Sequence, residues 1–69
     1  MLMSGGRPQP HDMFELYGMD ERGAILLTEF LQDLSPQQLQ RRAEERLKTF
    51  AMVEVCQGTT RVLFLERRG

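Results

Sequence analysis

Hydrophobic positions gather in four stretches along the chain, separated by short polar or glycine-bearing breaks. In the first, Met13, Phe14, Leu16 and Tyr17 are too dense for a loop in water. Asp12 can cap a helix start and Gly18 can end one, so the pattern predicts one or two helical turns laid over a core as an apolar lid. The second stretch, Asp20 to Leu34, follows a 3.6-residue period. At 100° per residue, Ala24, Leu26, Leu27, Phe30, Leu31 and Leu34 share one broad face, with Thr28, Glu29, Gln32 and Asp33 opposite. Asp20 and Glu21 suit the start of that predicted helix. Ile25 falls on its polar side, which makes it a candidate interface residue.

The third stretch, "LSPQQLQRRAEERLKTF", has the strongest start signal. Ser35 is an N-cap, Pro36 stands at the first helical position, and Gln38 completes a capping box. Its apolar stripe is narrow: Leu39, Ala43, Leu47 and Phe50. Arg42 and Arg46 border the stripe and are expected to bridge to Glu29 or Asp33. Arg41, Glu44, Glu45 and Lys48 point away, at spacings that suit surface pairs of Arg41 with Glu45 and of Glu44 with Lys48.

From Thr49 the period shortens to two. "TFAMVEVCQGTTRVLFLERRG" is rich in β-branched and aromatic residues around Gly58-Thr59, the signature of a hairpin. A two-residue turn there pairs Val55 with Val62 and Val53 with Phe64 on one face. Phe50, Met52, Glu54, Cys56, Arg61, Leu63 and Leu65 then occupy the other face. A three-residue turn shifts the pairing by one and still leaves apolar groups on both faces. The predicted fold class is α+β, with two to three short helices followed by a C-terminal two-stranded antiparallel β-hairpin. Residues 1–11, with Gly5, Gly6, Pro8 and Pro10, read as a flexible tail. Residues 12–69 read as a single small domain.

Composition changes this picture in two ways. A chain of 69 residues is near the lower limit for a self-sufficient core; at that size a core rarely supplies more than about 3–5 kcal/mol. The single cysteine, Cys56, excludes an internal disulfide, and no Cys/His cluster has metal-ligand spacing. A second copy or a partner protein is the remaining staple. The net charge of −1 is close to neutral but unevenly placed. Between Asp12 and Leu34 the acids Asp12, Glu15, Asp20, Glu21, Glu29 and Asp33 face Arg22 alone. After Ser35 the bases Arg41, Arg42, Arg46, Lys48, Arg61, Arg67 and Arg68 outnumber Glu44, Glu45, Glu54 and Glu66. No apolar run has the length of a membrane span or a signal peptide, so a reducing cytoplasmic setting is expected.

Candidate chemistry is sparse. His11 lies in the tail and Cys56 in a predicted strand, where it is expected to be a small buried hydrophobe. A Cys/His nucleophile pair needs both on one scaffold. No catalytic residue, cofactor or metal is expected. Two helices at a sharp corner followed by a hairpin, over roughly Thr28 to Glu66, resemble the last part of a winged helix-turn-helix domain. That resemblance implies DNA contacts from Gln37, Gln38, Gln40, Arg41 and Arg42 near the helix start and from Arg61 in the wing. Near-neutral charge, and Glu44 and Glu45 on the same helix, place a small dimeric DNA-binding regulator second. The leading expectation is a small non-catalytic interaction or regulatory protein. It docks its hairpin and neighbouring apolar surface onto a partner or a second copy. Met52, Leu63 and Leu65 are the expected interface residues, together with Ile25.

Overall fold

The computed structural model of the chain describes residues 13–67. The expected tail (1–11) and His11 lie outside them. The elements run β1 (Met13–Met19), β2 (Ile25–Gln32), α1 (Pro36–Leu47), β3 (Met52–Gln57) and β4 (Thr60–Glu66). The strands form one antiparallel sheet in the order β2-β1-β3-β4. The expectation of two to three helices and a two-stranded hairpin is therefore overturned: the described residues hold one helix and a four-stranded sheet.

The two segments expected to be helical are strands, for local reasons. In β1, Phe14, Leu16 and Gly18 alternate with Met13, Glu15 and Tyr17, a period of two. Asp20 caps a tight loop instead of a helix: its carboxylate accepts from the backbone N–H of Arg22 and of Ala24, each at 2.9 Å. Gly23, at φ 90°, completes the turn between β1 and β2. Leu27, Glu29 and Leu31 then pair with Gly18, Leu16 and Phe14 across the ladder. The strand ends at Gln32, and Asp33, with a φ of 58°, turns the chain toward the helix cap.

The capping box forms as its spacing predicts. The Ser35 hydroxyl accepts from Gln38 N–H at 3.2 Å, and the Gln38 side chain accepts from Ser35 N–H at 2.8 Å. One face of α1 buries Leu39 and Ala43 over β1, β3 and β4. These join Leu16, Leu31, Val53 and Val55 in the core, with Phe14, Leu34, Leu47, Leu63 and Leu65 packed around them. At the other end of the helix Arg67 acts as a clasp. Its guanidinium donates to the Leu47 and Phe50 carbonyls, at 2.9–3.2 Å, and its N–H donates to Ala51. The last turn of α1 is thus tied to the end of β4, and carbonyls without a helical partner gain a charged donor.

The hairpin turns at Gly58 (φ 64°), and Gln57 pairs with Thr60 and Cys56 with Arg61, as expected. A β-bulge then intervenes. Val55 pairs with Leu63 and Val53 with Leu65, not with Val62 and Phe64. A shift of one residue exchanges the faces of everything beyond it. Leu63 and Leu65 therefore turn toward the helix and join the core, and Phe64 turns outward.

Candidate functional site

The helix covers one face of the sheet. Strand alternation sets the other face: Met13, Glu15 and Tyr17 from β1, Thr28, Phe30 and Gln32 from β2, Met52, Glu54 and Cys56 from β3, and Arg61, Phe64 and Glu66 from β4. No element among the described residues lies over it. Phe30, Phe64 and Met13 are exposed, although large apolar side chains are the ones water most disfavours.

Two cross-strand rows make the centre. Phe30, Glu15, Cys56 and Arg61 form one, and Thr28, Tyr17, Glu54 and Phe64 the other. The Tyr17 hydroxyl donates to the Glu15 carboxylate two residues away on the same face. The Arg61 guanidinium donates to Glu54 at 3.0 Å and lies 4.7 Å from the centre of the Phe64 ring. The result is an acidic, partly hydrogen-bonded centre flanked by aromatic rings on both outer strands.

That centre controls two titrations. The hydrogen bond to Glu15 pushes the Tyr17 phenol up to about 12, with burial and the neighbouring carboxylates acting in the same direction. The folded value lies above the ordinary one, so Tyr17 favours the folded state at all pH values below about 10. This contribution is lost as pH rises from about 10 to about 12. Tyr17 is the only tyrosine and there is no tryptophan, so phenolate absorbance reads this group alone. A midpoint near 12 is expected, falling toward 10 in Glu15→Gln; an unchanged midpoint in the variant would remove the hydrogen bond as its cause. The Cys56 thiol is also pushed up, first by burial and then by Glu54. It is half-buried on this face beside Glu15 and Arg61 rather than in the core, and it stays a thiol, not a nucleophilic thiolate.

Among the described residues of the sheet, Glu29 is the one charged group turned toward the helix. It accepts two hydrogen bonds from Arg46, at 2.7 and 3.0 Å, with Arg42 at 3.7 Å. The Arg46 hydrogen bond holds its carboxyl below the usual range, against an opposing effect of burial. The expected bridges from Arg42 and Arg46 to Glu29 are present, although Glu29 stands on a strand and not on a helix. Glu44 accepts instead from Gln40, and Glu45 pairs with Lys48.

The residues expected at an interface divide. Ile25 is exposed on β2, and Met52 lies half-buried on the uncovered face. Leu63 and Leu65 belong to the core. The residues implied by the winged-helix resemblance do not form one surface. Gln37 and Arg41 are exposed on the helix, Gln38 is spent on the cap, and Arg42 leans on Glu29. Arg61 faces away on the opposite side of the sheet, against Glu54 and Phe64. The first helix of the supposed pair is β2, so the two-helix corner that carried the resemblance is absent. Phe30, Phe64, Glu15 and Tyr17 were not anticipated as a surface. The period-two alternation of Met13–Met19 was the available signal.

Hollows along the helix are open and lined mainly by polar and charged side chains such as Gln38, Arg41, Arg42 and Arg46. Among the described residues no His/Cys/Asp/Glu group is arranged to hold a metal ion, and no helix is long and apolar enough to cross a membrane. Compared with known protein families, with curated proteins and with solved structures, the chain matches none significantly.

Proposed function

We propose that the protein is a small non-catalytic docking protein whose working surface is the uncovered sheet face, and that the segment it takes is a basic amphipathic stretch of another protein. The observation that carries this reading is the one-sided cover. A four-stranded sheet presents Phe30, Phe64, Met13 and Met52 around Glu15, Tyr17 and Glu54, with no helix or strand of the described residues laid over them. Exposed apolar groups gathered on one face mark association surfaces.

Charge selects the partner. The face carries Glu15, Glu54 and Glu66 against Arg61, and Arg61 is already engaged by Glu54. Lysine and arginine suit it twice over, because their stems bury against aromatic rings and their heads reach the carboxylates. A second copy laid face to face suits it poorly, since Glu15 and Glu54 would meet their own counterparts in a drying interface. A reducing cytoplasmic setting fits a lone thiol kept protonated at the centre of the surface.

The test uses Tyr17 emission as a reporter at the centre of the face. Titration with an alternating leucine–lysine peptide is expected to give a saturable change that weakens as salt rises. Glu15→Gln combined with Glu54→Gln is expected to weaken it about tenfold, or about 1.4 kcal/mol. Equal binding of a leucine–glutamate peptide, or binding that ignores the two substitutions, would reject the proposal. Tight, salt-steep binding of duplex DNA lost in Arg41→Ala with Arg42→Ala would instead favour nucleic acid.

A further inference from the structure

We infer that β2 is a self-pairing edge, along which two copies of the chain join antiparallel to make one eight-stranded sheet. This goes beyond the docking face and does not rest on it: the face concerns side chains above the sheet, the edge concerns backbone at its side.

The two edges of the sheet differ. An outer strand presents a row of unpaired N–H and C=O groups, and proteins that remain monomeric blunt such edges with charge. Strand β4 is blunted in this way, with Arg61 and Glu66 on it and Arg67 just beyond its end. Strand β2, "ILLTEFLQ", has one ionisable residue, Glu29, and that carboxylate is turned to the helix and held by Arg46. The three most exposed large apolar side chains of the described residues all lie on this strand: Phe30 at 68 %, Leu26 at 60 % and Ile25 at 57 %. With eight residues it is also the longest strand. The helix lies chiefly over the other three strands, so it does not shield this edge.

The same asymmetry names the occupant. Pairing of β2 with β4 of another copy would set a strand whose one charge is turned to its own helix against Arg61 and Glu66 and would grow without end. Pairing of β2 with β2 about a two-fold axis closes at two copies, keeps both helices on one side and leaves the guarded β4 edges outermost. It brings both copies' Ile25, Leu26 and Phe30 to the seam. Arg42, which already leans toward Glu29, stands in each copy on the side of the helix nearest that seam. Eight residues of edge make a small interface, so the dimer is expected to dissociate in the micromolar range.

The experiment is sedimentation equilibrium of the full chain from roughly 1 μM to roughly 1 mM. A monomer–dimer equilibrium is expected. Leu26→Lys and Phe30→Lys, both at exposed positions, are each expected to raise the dissociation constant at least about tenfold. Phe64→Lys, on the guarded edge, is expected to leave it unchanged. Should a lysine variant unfold, hydrogen exchange of the wild-type chain supplies the second reading: β2 amides gain protection at high concentration and β4 amides do not. A monomer throughout the range would overturn the inference. So would a dimer broken by Phe64→Lys but not by Phe30→Lys, growth beyond two copies, or protection appearing on β4.

Discussion

Leu16→Ala is expected to lower the unfolding free energy by about 2–5 kcal/mol, enough to leave the chain largely unfolded at room temperature. Leu16 sits in the middle of β1, one of the two inner strands of the sheet, and its side chain is fully buried. It opposes Val55 on one neighbour and Glu29 on the other, beneath the helix. Removing it takes away both the transfer free energy of the lost atoms and the contacts of everything that lined them. The sheet has no disulfide to hold it while the core repacks. Urea unfolding followed by far-UV circular dichroism measures the loss. A drop below about 1 kcal/mol would mean that β1 is not an inner strand beneath the helix.

Gly18→Val carries the second large effect, and by the opposite route. A Cβ built at Gly18 would stand 2.6–2.9 Å from three atoms of the Phe50 ring. No real contact is that short, so the ring must move. Phe50 follows α1 directly, and its carbonyl is one of those that Arg67 clasps. Displacing the ring therefore disturbs the end of the helix and the Arg67 clasp together. Overpacking of this kind costs about 1–3 kcal/mol, and the β-branched side chain leaves little rotamer freedom to escape it. Phe50→Leu in the same chain should recover part of the loss, because the two changes share one contact. Additive losses in the double variant would show that the ring does not lie on Gly18.

Both expectations depend on strands that the sequence pattern disguises. "AILLTEFLQDL" satisfies a helical period because leucines recur at three- and four-residue steps, and leucine is itself a good helix former. As a strand, the same residues put Glu29 on the covered face, where an acid is not expected. Arg46, 17 residues later, makes that placement stable, with Arg42 beside it. A second irregularity hides the alternation: Gly18 pairs with Leu27 but Met19 with Ile25, so the ladder skips a residue. Asp20 was visible as a capping residue, yet the same chemistry closes a hairpin as readily as it opens a helix. Sequence pattern outlined α1 well, because Ser35, Pro36 and Gln38 act within four residues of one another. It outlined the β3–β4 hairpin with apolar groups on both faces, but not which residues provide each face. One bulge between Val55 and Cys56 exchanged Leu63 and Leu65 for Phe64. No pattern of apolar and polar residues announces a bulge when both faces carry apolar groups. Arg67 was legible only as a charge at the chain's end, since its role depends on carbonyls 17 and 20 residues away.

We propose that another protein docks on the uncovered face and not on the helix. Methyl-resolved NMR of the folded chain during titration with the leucine–lysine peptide separates the two surfaces. Met13 and Met52 lie on the uncovered face, while Leu39 and Leu47 report from the helix. The prediction is that the Met13 and Met52 methyl signals shift progressively with peptide while those of Leu39 and Leu47 hold still. Shifts concentrated on the helix, with Met13 and Met52 unmoved, would contradict it.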